Sequence, residues 1–164
     1  MYRAWSWWRL LALACSAITA LAGEPSDSWI RGTYTGASPR PIFTHATNAW
    51  QQASALAERT DRAFVLVGSG DSMRPLYAPG TILVLRQIPF GGMQRGQTVL
   101  YRNRQQRIVA HVLVTRARDG WRARGLNNPH HDMEPIREEN FVGVVIAAYQ
   151  PTNPATALSL ASVR

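Results

Sequence analysis

From residue 63 to residue 148 the chain sets its apolar side chains in six short runs, each bounded by turn formers. The runs span residues 63–67, 81–86, 98–102, 108–115, 121–124 and 142–148 and are rich in Val, Ile and Leu. Stretches of this length and composition suit an extended backbone, whereas a stable helix needs a longer periodic stretch. Asp119-Gly120, between the fourth and fifth runs, is a tight hairpin signal. Pro79-Gly80 turns the chain before the second run. The spacing predicts a mainly β domain of about six strands over residues 63–149.

Ahead of this region the period changes. Phe43, Ala46, Trp50, Ala53, Leu56 and Ala57 recur near helical spacing, which predicts one amphipathic helix over residues 43–59 that covers the domain. Residues 24–42 are rich in Pro, Ser, Gly and Thr, so 23–62 reads as an irregular arm followed by that helix. Residues 150–164 open Gln-Pro-Thr-Asn-Pro and read as a flexible tail.

At the N-terminus Arg3 and Arg9 precede an apolar stretch, residues 10–21, which ends Ala20-Leu21-Ala22-Gly23. A positive start, a short apolar core and a small-x-small exit make residues 1–22 an export signal cut between Ala22 and Gly23. If Trp5, Trp7 and Trp8 lengthen the apolar stretch, the same residues form an uncleaved membrane anchor. Both versions place the rest of the chain in the periplasm or on the extracytoplasmic face of the membrane. Cys15, the only cysteine, falls inside this segment, so the mature chain is expected to use neither disulfide nor thiol chemistry.

The net charge is +8, and all 18 basic residues are arginines. They are scattered without a dense run or a helical stripe, which favours a solvated basic face and no nucleic-acid groove; a membrane surface is a secondary partner. The absence of lysine has a sharper consequence. Arginine keeps its proton at every accessible pH, so histidine alone among the basic side chains can accept one near neutrality.

The first β run leads directly into Gly68-Ser69-Gly70-Asp71-Ser72-Met73-Arg74-Pro75. Its glycines let the backbone approach a ligand closely, and a serine just past a strand is placed as an exposed nucleophile. Most loops of this composition are only loops. The wider context changes the weighting. Ser72-Met73-Arg74-Pro75, with Pro79-Gly80 and the run that follows, resembles the nucleophile region of the signal peptidase I family. The relatives include LexA-type self-cleaving repressors, whose loop often reads Gly-Asp-Ser-Met, as Gly70 to Met73 does. Arg95-Gly96-Gln97-Thr98-Val99 is similar to the family's Val-Gly-Asp-Val-Val block. Thr81 and Gln97 stand where the family has aspartates in turns.

Ile108-Val109-Ala110-His111-Val112 resembles the Ile-Val-His-Arg-Val strand of endoplasmic-reticulum and archaeal signal peptidases, which use histidine in place of a lysine base. Arg124-Gly125-Leu126-Asn127-Asn128-Pro129-His130-His131-Asp132 is similar to the family's Lys-Gly-Asp-Asn-Asn-x-x-Asp-Asp block. The blocks fall in family order over about residues 63–146, roughly half the chain.

The resemblance implies a coiled antiparallel, barrel-like β-sheet and a serine endopeptidase that processes signal peptides or propeptides of exported polypeptides. By the same resemblance Ser72 is the nucleophile, His111 its base and Asp132 the triad acid, with Glu134 as a fallback. The N–H of Ser72 supplies one oxyanion donor. The position of the family's second donor is occupied by Gly70, which leaves Ser69 as an alternative. Gly70, Asp71 and Met73 then border an extended polypeptide substrate with small residues before the cut. No cofactor and no metal enter this reading. Two readings from other classes compete with it. In one, an exported β-domain keeps the fold without catalysis. In the other, His111, His130, His131, Asp132 and Glu134 hold a metal. Adjacent histidines in a strand face opposite ways, so the latter needs His130 and His131 in a loop, which Pro129 permits.

Overall fold

The computed structural model describes residues 28–153. The expected export signal or anchor, Cys15 and most of the expected tail lie outside the described residues. In chain order the elements are β1 (Trp29–Ile30), β2 (Thr33–Tyr34), β3 (Ile42–Thr44), α1 (Ala46–Glu58), β4 (Ala63–Val67) and β5 (Ile82–Arg86). They continue with β6 (Thr98–Arg102), β7 (Ile108–Ala117), β8 (Gly120–Arg124) and β9 (Phe141–Pro151). The fold is mainly β with one α-helix ahead of the principal strands, as the period change at residue 63 predicts.

Seven strands make one sheet in the order β4-β5-β9-β6-β7-β8, with β3 also attached to β9. All pairings in it are antiparallel except β3 with β9. Strand β9 is the spine. One of its edges pairs with β5 from Val144 to Tyr149; the other carries β6 at its start and β3 at its end. Register shifts at Val84/Leu85, Leu100/Tyr101 and Leu113/Thr115 add a residue to one strand and coil the sheet. β4 and β8 end the sheet without pairing to each other, so it is open and does not close into a barrel.

Much of the sheet is covered on both faces, which is why its strands read as nearly continuous apolar runs. Along β5, Leu83 and Leu85 face a cluster with Leu100, Val112, Leu126 and Met73, whereas Ile82 and Val84 face α1. Each of these apolar side chains, 4% exposed or less, contributes about 1.5–3 kcal/mol by leaving water. Ala49 and Ala53 of the helix are fully buried, and their small size lets α1 lie close on the sheet. A third cluster gathers Val99, Tyr101, Leu113, Trp121 and Ile136 at the far end.

The helix begins at Ala46, and Phe43 belongs to β3, where it is 70% exposed. The arm is more ordered than its composition suggests. Trp29 and Tyr34 pack at 5.6 Å between ring centroids, and the Arg95 guanidinium lies 5.2 and 5.1 Å from them, a cation–π clasp on the β1–β2 hairpin. Gly96 has φ +84, and a Cβ there would lie 2.6 Å from the Tyr34 ring, so only glycine fits under it. The Ser38 hydroxyl lies 2.7 Å from both the Gly96 carbonyl and Thr98 Oγ1. At the other end β9 runs on through Gln150 and Pro151, past the expected start of the tail, and the Gln150 side-chain amide lies against the Thr81 hydroxyl. No helix among the described residues is long and apolar enough to cross a membrane.

Candidate active site

Strand β4 delivers the chain into the loop 68–81. Gly68 N–H donates to Thr81 O at 2.9 Å, and Gly80 N–H to Gly68 O at 2.7 Å, so the loop is closed at its base. Inside it, Arg74 N–H donates to Asp71 O at 3.1 Å and Tyr77 N–H to Met73 O at 3.0 Å. Met73, Leu76 and Tyr77 sink into the core, and the Tyr77 hydroxyl donates to Pro39 O at 2.7 Å. Burial pushes the Tyr77 phenol well above its ordinary range, so it remains a donor. Ser72 rides on this anchored turn, half-buried between exposed Asp71 and buried Met73.

Ser72 borders a cleft of about 420 Å³. Leu83 and Leu100 floor it; Leu66 and Val67 of β4 form one wall, and residues 108–110 of β7 the other. Ser69 and Gly70 share the rim with Ser72. Strand β4 pairs only with β5, and β8 covers β7 only from Val112 to Ala117. Among the described residues, both walls therefore carry a backbone edge without a partner strand.

His111 stands opposite Val99 and is 5% exposed. Its Nδ1 lies 2.6 Å from Asp132 Oδ2. An ionised carboxylate can only accept, so in the neutral imidazole this nitrogen carries the proton and Nε2 the lone pair. Nε2 is buried and has no hydrogen-bond partner among the described residues; the Ser72 hydroxyl does not bond to it. The turn after β8 links the two groups. Asn127 N–H donates to Ser72 O at 2.8 Å, while a Cβ built on Gly125 would stand 2.8 Å from His111 Nε2 and 2.7 Å from Asn128 Nδ2. Gly125 thus leaves room for the imidazole. Arg31 in the β1–β2 turn donates to Asn127 Oδ1 and ties the arm to the same turn.

Asp132 is held from two sides. Its N–H donates to Ala123 O at 2.9 Å, which fixes the backbone to β8. Its Oδ2 also accepts the Tyr101 hydroxyl at 2.8 Å. Burial, and then the negative charge of Asp132, push the Tyr101 phenol far above its usual range, so it stays protonated and donates. The His111 and Asp132 side chains are 6% and 14% exposed. Burying two ionisable groups is unfavourable unless each finds partners, and here they partner each other.

Of the residues singled out in the sequence, His111 and Asp132 meet directly, and Ser72 is linked to their surroundings through Asn127. Gly70 and Met73 border the cleft with Ser72. Asp71 is on the surface instead, 2.6 Å from Arg74 Nε. Glu134 Oε2 accepts Arg104 N–H at 2.8 Å, so it braces the β6–β7 turn. His130 and His131 are exposed, and no group of three metal-ligating side chains occurs among the described residues. Thr81 and Gln97 each close a turn: the Thr81 hydroxyl donates to Ala78 O at 2.6 Å, and Gln97 Oε1 accepts Gln94 N–H at 2.8 Å.

Sequence reasoning missed Tyr101 and Gly125 as parts of this site. Tyr101 was detectable in principle: with Val99 opposite His111, Tyr101 is its diagonal neighbour two residues on, and the rings lie 6.3 Å apart. Gly125 falls in the block similar to the family's Lys-Gly-Asp-Asn-Asn, but nothing in that match says that it makes space for the imidazole. Chemically, the arrangement offers an oriented imidazole with an open nitrogen and, across one short turn, a hydroxyl on the rim of an apolar cleft. No protein-family model matches the chain, and no curated protein matches it.

Proposed function

We propose that the chain is a serine endopeptidase of the signal peptidase I type, with a histidine base, that processes exported polypeptides on the extracytoplasmic side of a membrane. The observation that carries this reading is the buried His111–Asp132 contact at 2.6 Å, with Nε2 left without a partner among the described residues, in a chain that has no lysine. In this reading Nε2 takes the proton of Ser72 Oγ as that oxygen bonds to the scissile carbonyl carbon. The Ser72 N–H steadies the oxyanion, and Asp132 steadies the imidazolium. His111 then passes the proton to the departing amine, and water resolves the acyl-enzyme by the same route.

The cleft supports an extended polypeptide as substrate. Among the described residues each of its two walls carries a partnerless strand edge, and a segment laid along either would gain main-chain hydrogen bonds. The membrane surface remains a secondary partner. Ser72→Ala tests the reading on a peptide with small residues before the scissile bond. Loss of cleavage with unchanged circular dichroism is expected, and undiminished cleavage by the folded variant would refute it.

A further inference from the structure

We propose that Tyr101 is a positioning residue of the site: its hydroxyl holds Asp132 Oδ2 where that oxygen keeps the proton on His111 Nδ1 and leaves Nε2 open. One carboxylate oxygen receives both donors, the imidazole at 2.6 Å and the phenol at 2.8 Å. The loop that carries Asp132 needs such a hold. Pro129, His130 and His131 before it are exposed, and Met133 after it is 98% exposed. Among the described residues, apart from one backbone bond to β8 and the contact with His111 itself, the Tyr101 hydroxyl is what reaches Asp132 from the packed core.

The hydroxyl itself also calls for a reason. Tyr101 is 3% exposed among Val99, Leu113, Trp121 and Ile136, where phenylalanine would fill the same space without a polar atom to bury. A buried hydroxyl is unfavourable unless it is bonded, and its bond here is to Asp132. The charged groups around the pair are few. Glu134 lies near Tyr101, Arg124 binds the Asn128 carbonyl on the neighbouring turn, and the Asp71–Arg74 pair is on the surface of the serine loop.

The inference rests on the reading of His111 as the base, so its test includes a signal that needs no catalysis. In Tyr101→Phe, Asp132 is released for part of the time into its exposed loop. The His111 imidazole, followed by nitrogen NMR in a Ser72→Ala background, is expected to shift from the Nδ1–H tautomer toward a mixture with Nε2–H. In the Ser72-containing variant, kcat should fall about tenfold with KM little changed, since a misoriented imidazole costs turnover more than binding. Replacing Tyr101 with 3-fluorotyrosine, which keeps the ring and the donor, should restore the tautomer and the rate, and it carries the test if Tyr101→Phe folds poorly. A purely structural role would lower the melting temperature without moving the imidazole signals. An unchanged tautomer in Tyr101→Phe, or a tautomer shift that 3-fluorotyrosine fails to restore, would overturn the proposal. Loss of peptide cleavage in every variant alongside the expected tautomer shift would instead count against the peptidase reading.

Discussion

At the scale of single residues the site depends on which atoms hold protons. Asp132 accepts from His111 Nδ1, which commits the imidazole to one tautomer. Asp132→Asn keeps the volume but presents an amide that can donate, so the imidazole can turn over to the other tautomer. Turnover is expected to fall by roughly 10³–10⁴ with peptide affinity retained, a kcat effect that steady-state kinetics separates from KM. His111 and Asp132 were legible in the sequence because each falls on a motif position and the chain has no competing lysine. Tyr101 was not, because its partner lies 31 residues away and only the fold brings them together. Gly125 stands in a motif block, but its role was unreadable for a related reason: its value is the space it leaves beside Nε2, and spacing along a chain does not record empty volume.

At the scale of elements, β4 and β6 begin and end where the apolar runs do, because a Val/Ile/Leu run bounded by turn residues specifies both ends at once. The hairpin β1–β2 and the strand β3 escaped notice, being two and three residues long and too short for any period. Their order comes from contacts distant in sequence: Arg95 over Trp29 and Tyr34, and β9 alongside β3. β3 also shortens the helix, because pairing with β9 keeps Phe43 and Thr44 extended. The α1 stripe was legible, and its packing makes a stability prediction. Ala53 is fully buried in the cluster with Ile82, Val84 and Tyr149. Ala53→Leu must push the helix off the sheet and should cost about 1–3 kcal/mol, read as a lower urea midpoint at unchanged slope. Because α1 packs on the face away from the Leu83 and Leu100 floor of the cleft, cleavage at low temperature should persist in the folded fraction.

At the scale of the whole molecule, an open sheet coiled by three register shifts brings the end of β4 and the start of β7 to opposite sides of one cleft. The serine loop hangs from the first strand and the histidine lies on the second, so the curvature of the sheet positions both. Neither the curvature nor the open closure between β4 and β8 could be read from the runs, since bulges depend on which strands become neighbours. A chain without lysine offers histidine as its base at neutral pH, and free histidine titrates near about 6.5. The rate of peptide cleavage against pH, measured for wild type and for His111→Ala, tests this account most directly. The wild-type rate should rise with pH through one ionisation and then level, while His111→Ala should lose at least about 10³-fold and show no such rise. The same ionisation in both proteins, or an unchanged rate in His111→Ala, would contradict it.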